Sequence, residues 1–148
     1  MKTVAMVLFP DFLLLDMAGP MEVFSIANRY LKPEDHYRLS TIGTVPGALR
    51  ASNGVNVQAD LHIDQACDGY DLLLVPGGPG AYNEKHPALL DWLNHNVGRS
   101  RVYGSICTGA FVLGHAGLRI VQPLGAVVPC RWPERAGQRH RGAGRHPR

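Results

Sequence analysis

The chain has 148 residues, 45% hydrophobic and 18% charged, so it is long enough to bury one core and too apolar to be disordered throughout. Its net charge of +3 is uneven, because residues 119–148 carry seven arginines and one acidic residue, whereas residues 1–118 carry eight basic and eleven acidic residues. The basic character therefore belongs to the tail, and we predict no direct nucleic-acid binding by this chain.

The apolar runs and the cysteines predict a cytoplasmic protein that is not inserted in a membrane. The longest apolar run, Val4–Phe9, is far shorter than the roughly 20 residues that a membrane span requires, and the amino terminus has no signal-peptide pattern. Cys67, Cys107 and Cys130 are odd in number and widely spaced, which argues against a disulfide framework or a zinc site and favours a reducing compartment. We predict no metal and no cofactor.

The predicted elements alternate between strands and helices along the chain. The predicted strands are Thr3–Phe9, His36–Ile42, Tyr70–Pro76 and Arg101–Ile106, with Ala126–Val128 as a further candidate. The predicted helices are residues 20–30 with Pro20 in the first turn, then Pro87–Val97, then Thr108–Ala116. Residues 43–60 are rich in turn-forming residues and predict a short hairpin. This order predicts an α/β fold, a flavodoxin-like open parallel sheet with helices on both faces, whose ligands bind beyond the carboxyl ends of the strands.

Cys107 is the first candidate site residue, because it lies where a predicted strand gives way to a helix. The sequence Ser105-Ile106-Cys107-Thr108-Gly109 resembles a nucleophile elbow, with serine where such elbows often have glycine. The turn would hold the sulfur out at the strand end, and the helix amino terminus would stabilise a thiolate. A small cysteine buried at a helix start is the alternative interpretation.

Two further candidates are the paired glycines Gly77 and Gly78, which follow the clearest buried strand. Their backbone N–H groups could stabilise an oxyanion during attack on a carbonyl-like or nitrile-like carbon. A tight strand-to-loop turn would explain the same residues. The segment is not a phosphate-binding loop, because no Gly-Lys-Ser/Thr follows it.

Asp16 is the candidate acidic residue, placed just before the predicted helix start. Its carboxylate could share a proton with Cys107 or act as a general acid or base, although a helix cap or a solvated loop acid is the simpler interpretation. Glu22 is a competing carboxylate, but it lies inside the predicted helix. His115 is two helical turns from Cys107, more than roughly 10 Å away, and is therefore a poor base for it.

These segments together resemble the ThiJ/PfpI superfamily, whose domain is similar to class I glutamine amidotransferases. The resemblance lies in Asp16–Phe24, Asp71–Gly78 and Gly104–Leu113, in that order, and is most marked to the amidotransferase-like domains of AraC-type transcriptional regulators and to isonitrile hydratases. It implies that Cys107 is the nucleophile or sensor thiol and that Asp16 is the acidic partner beside it. It also implies that Gly78 and Thr108 supply backbone donors, with the Thr108 hydroxyl near a substrate.

The chain departs from this family after residue 118. The resemblance implies Leu-Leu-Asp-Gly after the elbow helix and then a strand carrying Thr-Thr-His-Trp, but the chain continues as Gly117-Leu118-Arg119-Ile120. We therefore predict a C-terminally truncated ThiJ/PfpI-like domain at residues 1–118, followed by an atypical basic tail at 119–148. A frame shift after about Leu118 is the hypothesis for that tail, and residues 133–148 are expected to be disordered because alanines and two prolines are their only apolar side chains.

Three functions are compatible with the resemblance. The first is the ligand-sensing, amidotransferase-like part of an AraC-type regulator, with a small molecule as ligand. The second is a cysteine-dependent hydratase or hydrolase acting on a C–N bond through Cys107. The third is a thiol redox sensor. The resemblance also implies a homodimer.

Overall fold

The structure, a computed structural model, describes residues 1–66, 69–83 and 86–119, together with the backbone of Cys130–Arg131. The strands are β1 Lys2–Leu8, β2 Tyr37–Gly43, β3 Ala48–Arg50, β4 Asn56–Gln58, β5 Leu61–His62, β6 Leu72–Val75, β7 Val102–Ser105 and β8 Cys130–Arg131. The α-helices are α1 Leu14–Ala27, α2 Pro87–Val97 and α3 Gly109–His115, and the 3-10 turns are Asn28–Tyr30, Pro33–Asp35, Ile63–Gln65 and Pro79–Tyr82.

The described strands form one large sheet and a separate hairpin. The large sheet has the order β5-β2-β1-β6-β7-β8, with parallel pairing throughout except for β8, which pairs antiparallel to β7. The amino-terminal strand β1 is therefore central, and its Val4 lies between Leu39 of β2 and Leu72 of β6. The hairpin pairs β3 with β4.

Burial along β1 shows that both faces of the sheet are covered. Every residue from Val4 to Phe9 is buried, and successive residues of a strand point to opposite faces. Helix α2 contributes Leu89, Trp92, Leu93 and Val97 to the core. Helix α1 packs against it through the helically spaced residues Leu14, Met17, Met21 and Phe24. The predicted flavodoxin-like α/β fold is thus confirmed.

Most predicted elements lie within one or two residues of the observed ones, but the start of α1 was wrong. Residues 20–30 were expected to be the helix, whereas α1 begins at Leu14 and contains Pro20 in its interior. Leu14 and Met17 already pack against the core, so their burial favours helix in the turns before the proline. Asp16 consequently belongs to the first turn of a helix rather than to the loop before it.

Some predictions lie outside the described residues, namely the candidate strand Ala126–Val128 and the disorder expected at 133–148. Among the described helices, none combines the length and apolarity that crossing a bilayer would require.

Candidate functional site

Cys107 occupies a sharp turn between β7 and α3 at the carboxyl edge of the sheet. Its backbone φ is 51°, a left-handed conformation that non-glycine residues seldom adopt, and its side chain is exposed. Two hydrogen bonds fix the turn, from the Ile106 N–H to the Val75 carbonyl at 2.9 Å and from the Gly109 N–H to the Ile106 carbonyl at 3.0 Å. Such a conformation costs roughly 1–3 kcal/mol, and it projects the thiol away from the packed strand end.

Gly109 allows α3 to begin directly against the end of β6. A Cβ atom at this position would lie 2.3 Å from the Val75 carbonyl oxygen and 2.6 Å from that of Pro76. Any larger residue would therefore push the helix away from the sheet and move the turn that carries Cys107.

The glycine loop after β6 is hydrogen-bonded to both neighbouring segments. The Gly77 N–H donates to Asp16 Oδ2 at 3.0 Å, and the Gly78 N–H donates to Thr108 Oγ1 at 2.9 Å. Both N–H groups that the sequence suggested as oxyanion donors are thus already satisfied by side chains of this chain. In this structure they fix the loop in place.

Asp16 lies across the glycine loop from the elbow. A Cβ atom at Gly77 would be 2.8 Å from Asp16 Oδ2 and also 2.8 Å from the backbone nitrogen of Thr108. Asp16 Oδ2 and the Thr108 nitrogen are therefore no more than twice 2.8 Å apart. The structure brings Asp16, Gly77 and Thr108 together, whereas Glu22 is exposed further along α1.

Gly78 joins the loop to the segment between β1 and α1. Its φ is 134°, and a Cβ atom there would lie 2.5 Å from the Asp11 carbonyl oxygen and 2.6 Å from the Leu13 nitrogen. The Leu13 N–H donates to the Gly77 carbonyl at 2.7 Å, and the Gly80 N–H donates to the Asp11 carbonyl at 3.2 Å. The segments that follow β1, β6 and β7 therefore interlock at one edge of the sheet, where open α/β sheets bind their ligands.

The elbow itself carries free backbone donors. Within the described part of the chain, the N–H groups of Cys107 and Thr108 make no hydrogen bond. The N–H of the residue after a nucleophile is a usual oxyanion donor at such turns. These two groups, rather than those of the glycines, are available to a ligand.

An exposed aromatic pair on the segments that follow β6 and β7 was not predicted from the sequence. The rings of Tyr82 and Phe111 have centroids 4.9 Å apart at an interplanar angle of 44°, and both are about half exposed. Phe111 was within the elbow motif, but an aromatic residue in an apolar helix suggests core packing. The exposure of Phe111 depends on which face of α3 meets the sheet.

Comparisons with known proteins agree with this architecture. The DJ-1/PfpI family model matches residues 2–122. An uncharacterised protein from the cpoL 5′ region of Streptomyces lividans is 40% identical over 118 residues, which are 78% of this chain and 79% of that protein. The HTH-type transcriptional regulator CdhR of Pseudomonas aeruginosa is 33% identical over 111 residues, 75% of this chain but 32% of the regulator. Isonitrile hydratase of Pseudomonas putida is 29% identical over 116 residues, 78% of this chain and 47% of that enzyme.

Solved structures show the same fold. A ThiJ/PfpI family protein from Pseudomonas syringae superposes with a TM-score of 0.69 at 18% identity, over 79% of this chain and 46% of that one. The chain thus spans about a third of the regulator and about half of the enzyme that it resembles. The family model covers most of the chain, and the expected ThiJ/PfpI resemblance is confirmed: the chain belongs to the DJ-1/PfpI family.

Proposed function

We propose that this chain is a ligand-sensing domain in which Cys107 is the reactive thiol of a small-molecule site. The observation that carries the proposal is the backbone of Cys107, held at a φ of 51° so that an exposed sulfur stands at the carboxyl edge of the sheet. Maintaining a strained turn is costly, and such strain concentrates where a side chain must be presented to a ligand.

The surroundings of the thiol fit a ligand with an electrophilic carbon. The free N–H groups of Cys107 and Thr108 could donate hydrogen bonds to an oxygen or nitrogen of that ligand on which negative charge develops. Asp16 acts as a positioning residue in this proposal, because its carboxylate accepts the Gly77 N–H and fixes the loop that faces the elbow.

A role in sensing a small molecule is supported by the sequence similarity to transcriptional regulators. The related regulator CdhR is about three times as long as the matched segment, so this domain corresponds to one part of such a protein. We propose that the chain binds a small molecule in the cytoplasm, self-associates, and has no nucleic-acid or membrane contact of its own.

The test measures alkylation of Cys107 by iodoacetamide, site by site through peptide mass spectrometry. The native chain at pH 7 is compared with the same chain unfolded in urea, where the thiol is fully accessible and has no structural support. We expect faster labelling in the native chain and slowing by at least one compound from a panel of amides, amino acids and quaternary amines. Native labelling no faster than unfolded labelling, with no protection by any compound, would refute the proposal.

A second candidate function, a hydratase or hydrolase acting on a C–N bond, is favoured by the free elbow donors. The Cys107 sulfur would add to the terminal carbon of an isonitrile, and protonation of that carbon would give a thioimidate. Water would then add to the same carbon, and cleavage of the C–S bond would release an N-substituted formamide and the thiol. Formamide production from an alkyl isonitrile that disappears in Cys107→Ala would support this function, and production unchanged in that variant would eliminate it.

A further inference from the structure

Two exposed aromatic rings lie on the segments that carry the glycine loop and the elbow. Tyr82 is 58% exposed and Phe111 is 49% exposed, although each ring contacts the other. Their neighbours in the chain, Ala81 and Val112, are fully buried. The two rings are thus apolar groups that the fold pairs with each other and leaves facing solvent.

The pair is tied to the two segments that build the site. Phe111 follows Cys107 by four residues, about one helical turn, and Tyr82 ends the 3-10 turn that begins just after Gly78. That turn packs against α3, and the hydrogen bond from the Gly78 N–H to Thr108 Oγ1 joins the same two segments. The aromatic pair therefore joins the same two segments as that hydrogen bond, four residues after Gly78 on one and three residues after Thr108 on the other.

Open ring faces at this location can bind an apolar group. An aromatic side chain buries 150–250 Å² when it is fully covered, so a ligand group laid against the pair would remove a large apolar area from water. The favourable geometry between such groups is offset-stacked or edge-to-face, and a tilted pair presents both a face and an edge.

We propose that Tyr82 and Phe111 form an aromatic wall that selects ligands whose electrophilic carbon carries a flat or branched apolar group. The proposal rests on Cys107 being the reactive thiol, and it adds the chemical class of the ligand. A pair that served only to hold the 3-10 turn against α3 would affect stability without affecting which ligand reacts.

The experiment compares two alkylating reagents at Cys107, iodoacetamide and N-benzyl-iodoacetamide. In both cases the sulfur forms a bond to the methylene carbon and iodide leaves, so the reagents differ only in the benzyl group. We expect the native chain to prefer the benzyl reagent roughly three- to tenfold more than the urea-unfolded chain does, the range that a single aromatic contact supplies. Tyr82→Ala and Phe111→Ala should each remove that preference.

Matched variants separate recognition from folding. Tyr30→Ala removes an aromatic residue that is 85% exposed at another place on the surface, and it should leave the preference unchanged. Phe111→Leu keeps an apolar side chain on α3 and should retain part of the preference even if Phe111→Ala fails to fold.

Three outcomes would overturn the proposal. They are a native chain with no benzyl preference, a preference that survives in Tyr82→Ala and Phe111→Ala, and a stronger preference for a trimethylammonium-bearing iodoacetamide. Native iodoacetamide labelling no faster than unfolded labelling, with no protection by any compound, would instead refute the reactive-thiol function, so the two proposals fail by different measurements.

Discussion

The two edges of the central sheet use the same kinds of residue for different purposes. At the amino edge, Asp71 Oδ2 accepts the Thr3 N–H at 2.8 Å and the Thr3 hydroxyl at 3.2 Å, while Thr3 Oγ1 accepts the Asp71 N–H at 3.0 Å. These bonds join the starts of β1 and β6 in a closed arrangement. Asp60 and Thr41 make the same three bonds between β5 and β2, but within the sheet rather than at its amino edge, because Thr41 is level with Met6 of β1.

At the carboxyl edge, an aspartate and a threonine are again present, but they bind backbone of a third segment. Asp16 accepts the Gly77 N–H, Thr108 Oγ1 accepts the Gly78 N–H, and the N–H groups of Cys107 and Thr108 remain free within the described residues. One edge has its polar groups paired with each other, whereas the other keeps donors and a thiol open. The difference is consistent with the proposal that the carboxyl edge binds a ligand, whereas the closed amino edge contributes to stability.

Electrostatics distinguish the amino edge as well. The pKa of the Asp71 carboxyl is lowered, chiefly by the hydrogen bond from the Thr3 N–H. Burial raises this pKa, whereas the Thr3 hydroxyl and the charges of Arg101 and Lys2 lower it further. A carboxylate stabilised in this way contributes to folding.

The largest expected effect is at the carboxyl edge, in Gly78→Ala. The new Cβ would overlap the Asp11 and Leu13 backbone, and a φ of 134° is strained for alanine, so we expect the free energy of unfolding to fall by more than about 3 kcal/mol. Urea denaturation followed by circular dichroism measures the loss. The control is Gly47→Ala, which shares a positive φ of 80° but has open space around it. Equal losses of unfolding free energy in the two variants would show that the close packing of Gly78 against Asp11 and Leu13 contributes nothing to stability.

Asp71→Asn tests the amino edge, and we expect the free energy of unfolding at pH 7 to fall by about 2 kcal/mol, because both hydrogen bonds from Thr3 lose their charged acceptor. Because the folded-state pKa is lowered, the stabilisation is complete above the unfolded pKa of about 3.9 and is lost as the pH falls through the folded value. The difference between wild type and variant should therefore shrink below about pH 4. Unfolding curves from pH 7 to pH 2.5 measure this, and a difference that grows on acidification would contradict the assignment.

Thr108→Val and Thr3→Val sharpen the comparison directly. Each removes one hydroxyl and leaves a backbone N–H without its acceptor, so each should cost about 1 to 1.5 kcal/mol in unfolding free energy. The alkylation rate of Cys107 should fall only in Thr108→Val, and Thr108→Ser should restore it. Equal labelling rates in the two valine variants would place Thr108 among purely structural residues.

The smallest effect is expected in Gly19→Ala, on the helix that carries Asp16. Gly19 lies inside α1 with nothing near its absent Cβ, so alanine should stabilise the protein by about 0.5 to 1 kcal/mol. Labelling of Cys107 should not change, because the hydrogen bond from Gly77 to Asp16 is untouched. A thermal melt and the same labelling assay measure both quantities, and destabilisation would indicate that this face of α1 is packed.

The sheet could be predicted well from the sequence because its central strands are buried and can be recognised from their own apolar residues. The run Leu72–Val75 is continuously apolar, and α2 begins at a proline and has regularly spaced apolar residues, so each could be recognised without knowledge of its neighbours. The start of α1 could not be recognised from the sequence, because Pro20 is typical of the first turn of a helix. The earlier turns are favoured by the packing of Leu14 and Met17, which arises only when the helix meets the sheet.

The places of the candidate residues in the fold were predictable from the sequence, but their hydrogen bonds were not. Cys107 and the paired glycines stand at strand ends, and such positions follow from the order of elements. The pairing of Gly77 with Asp16 and of Gly78 with Thr108 joins residues 61 and 30 positions apart in the chain. Partners at that separation depend on how two helices pack against one loop, which no local pattern encodes.

The central place of β1 has a consequence during protein synthesis. Its first partner β2 follows closely, but β6 begins at Leu72, opposite Val4, so one side of an apolar strand has no pairing partner until the ribosome has made about seventy more residues. At roughly 5–20 residues per second this interval lasts about 3 to 14 seconds. During this interval the nascent chain exposes an unpaired apolar strand edge that can aggregate. A chaperone that binds unfolded chains would therefore have its greatest effect on yield at this stage.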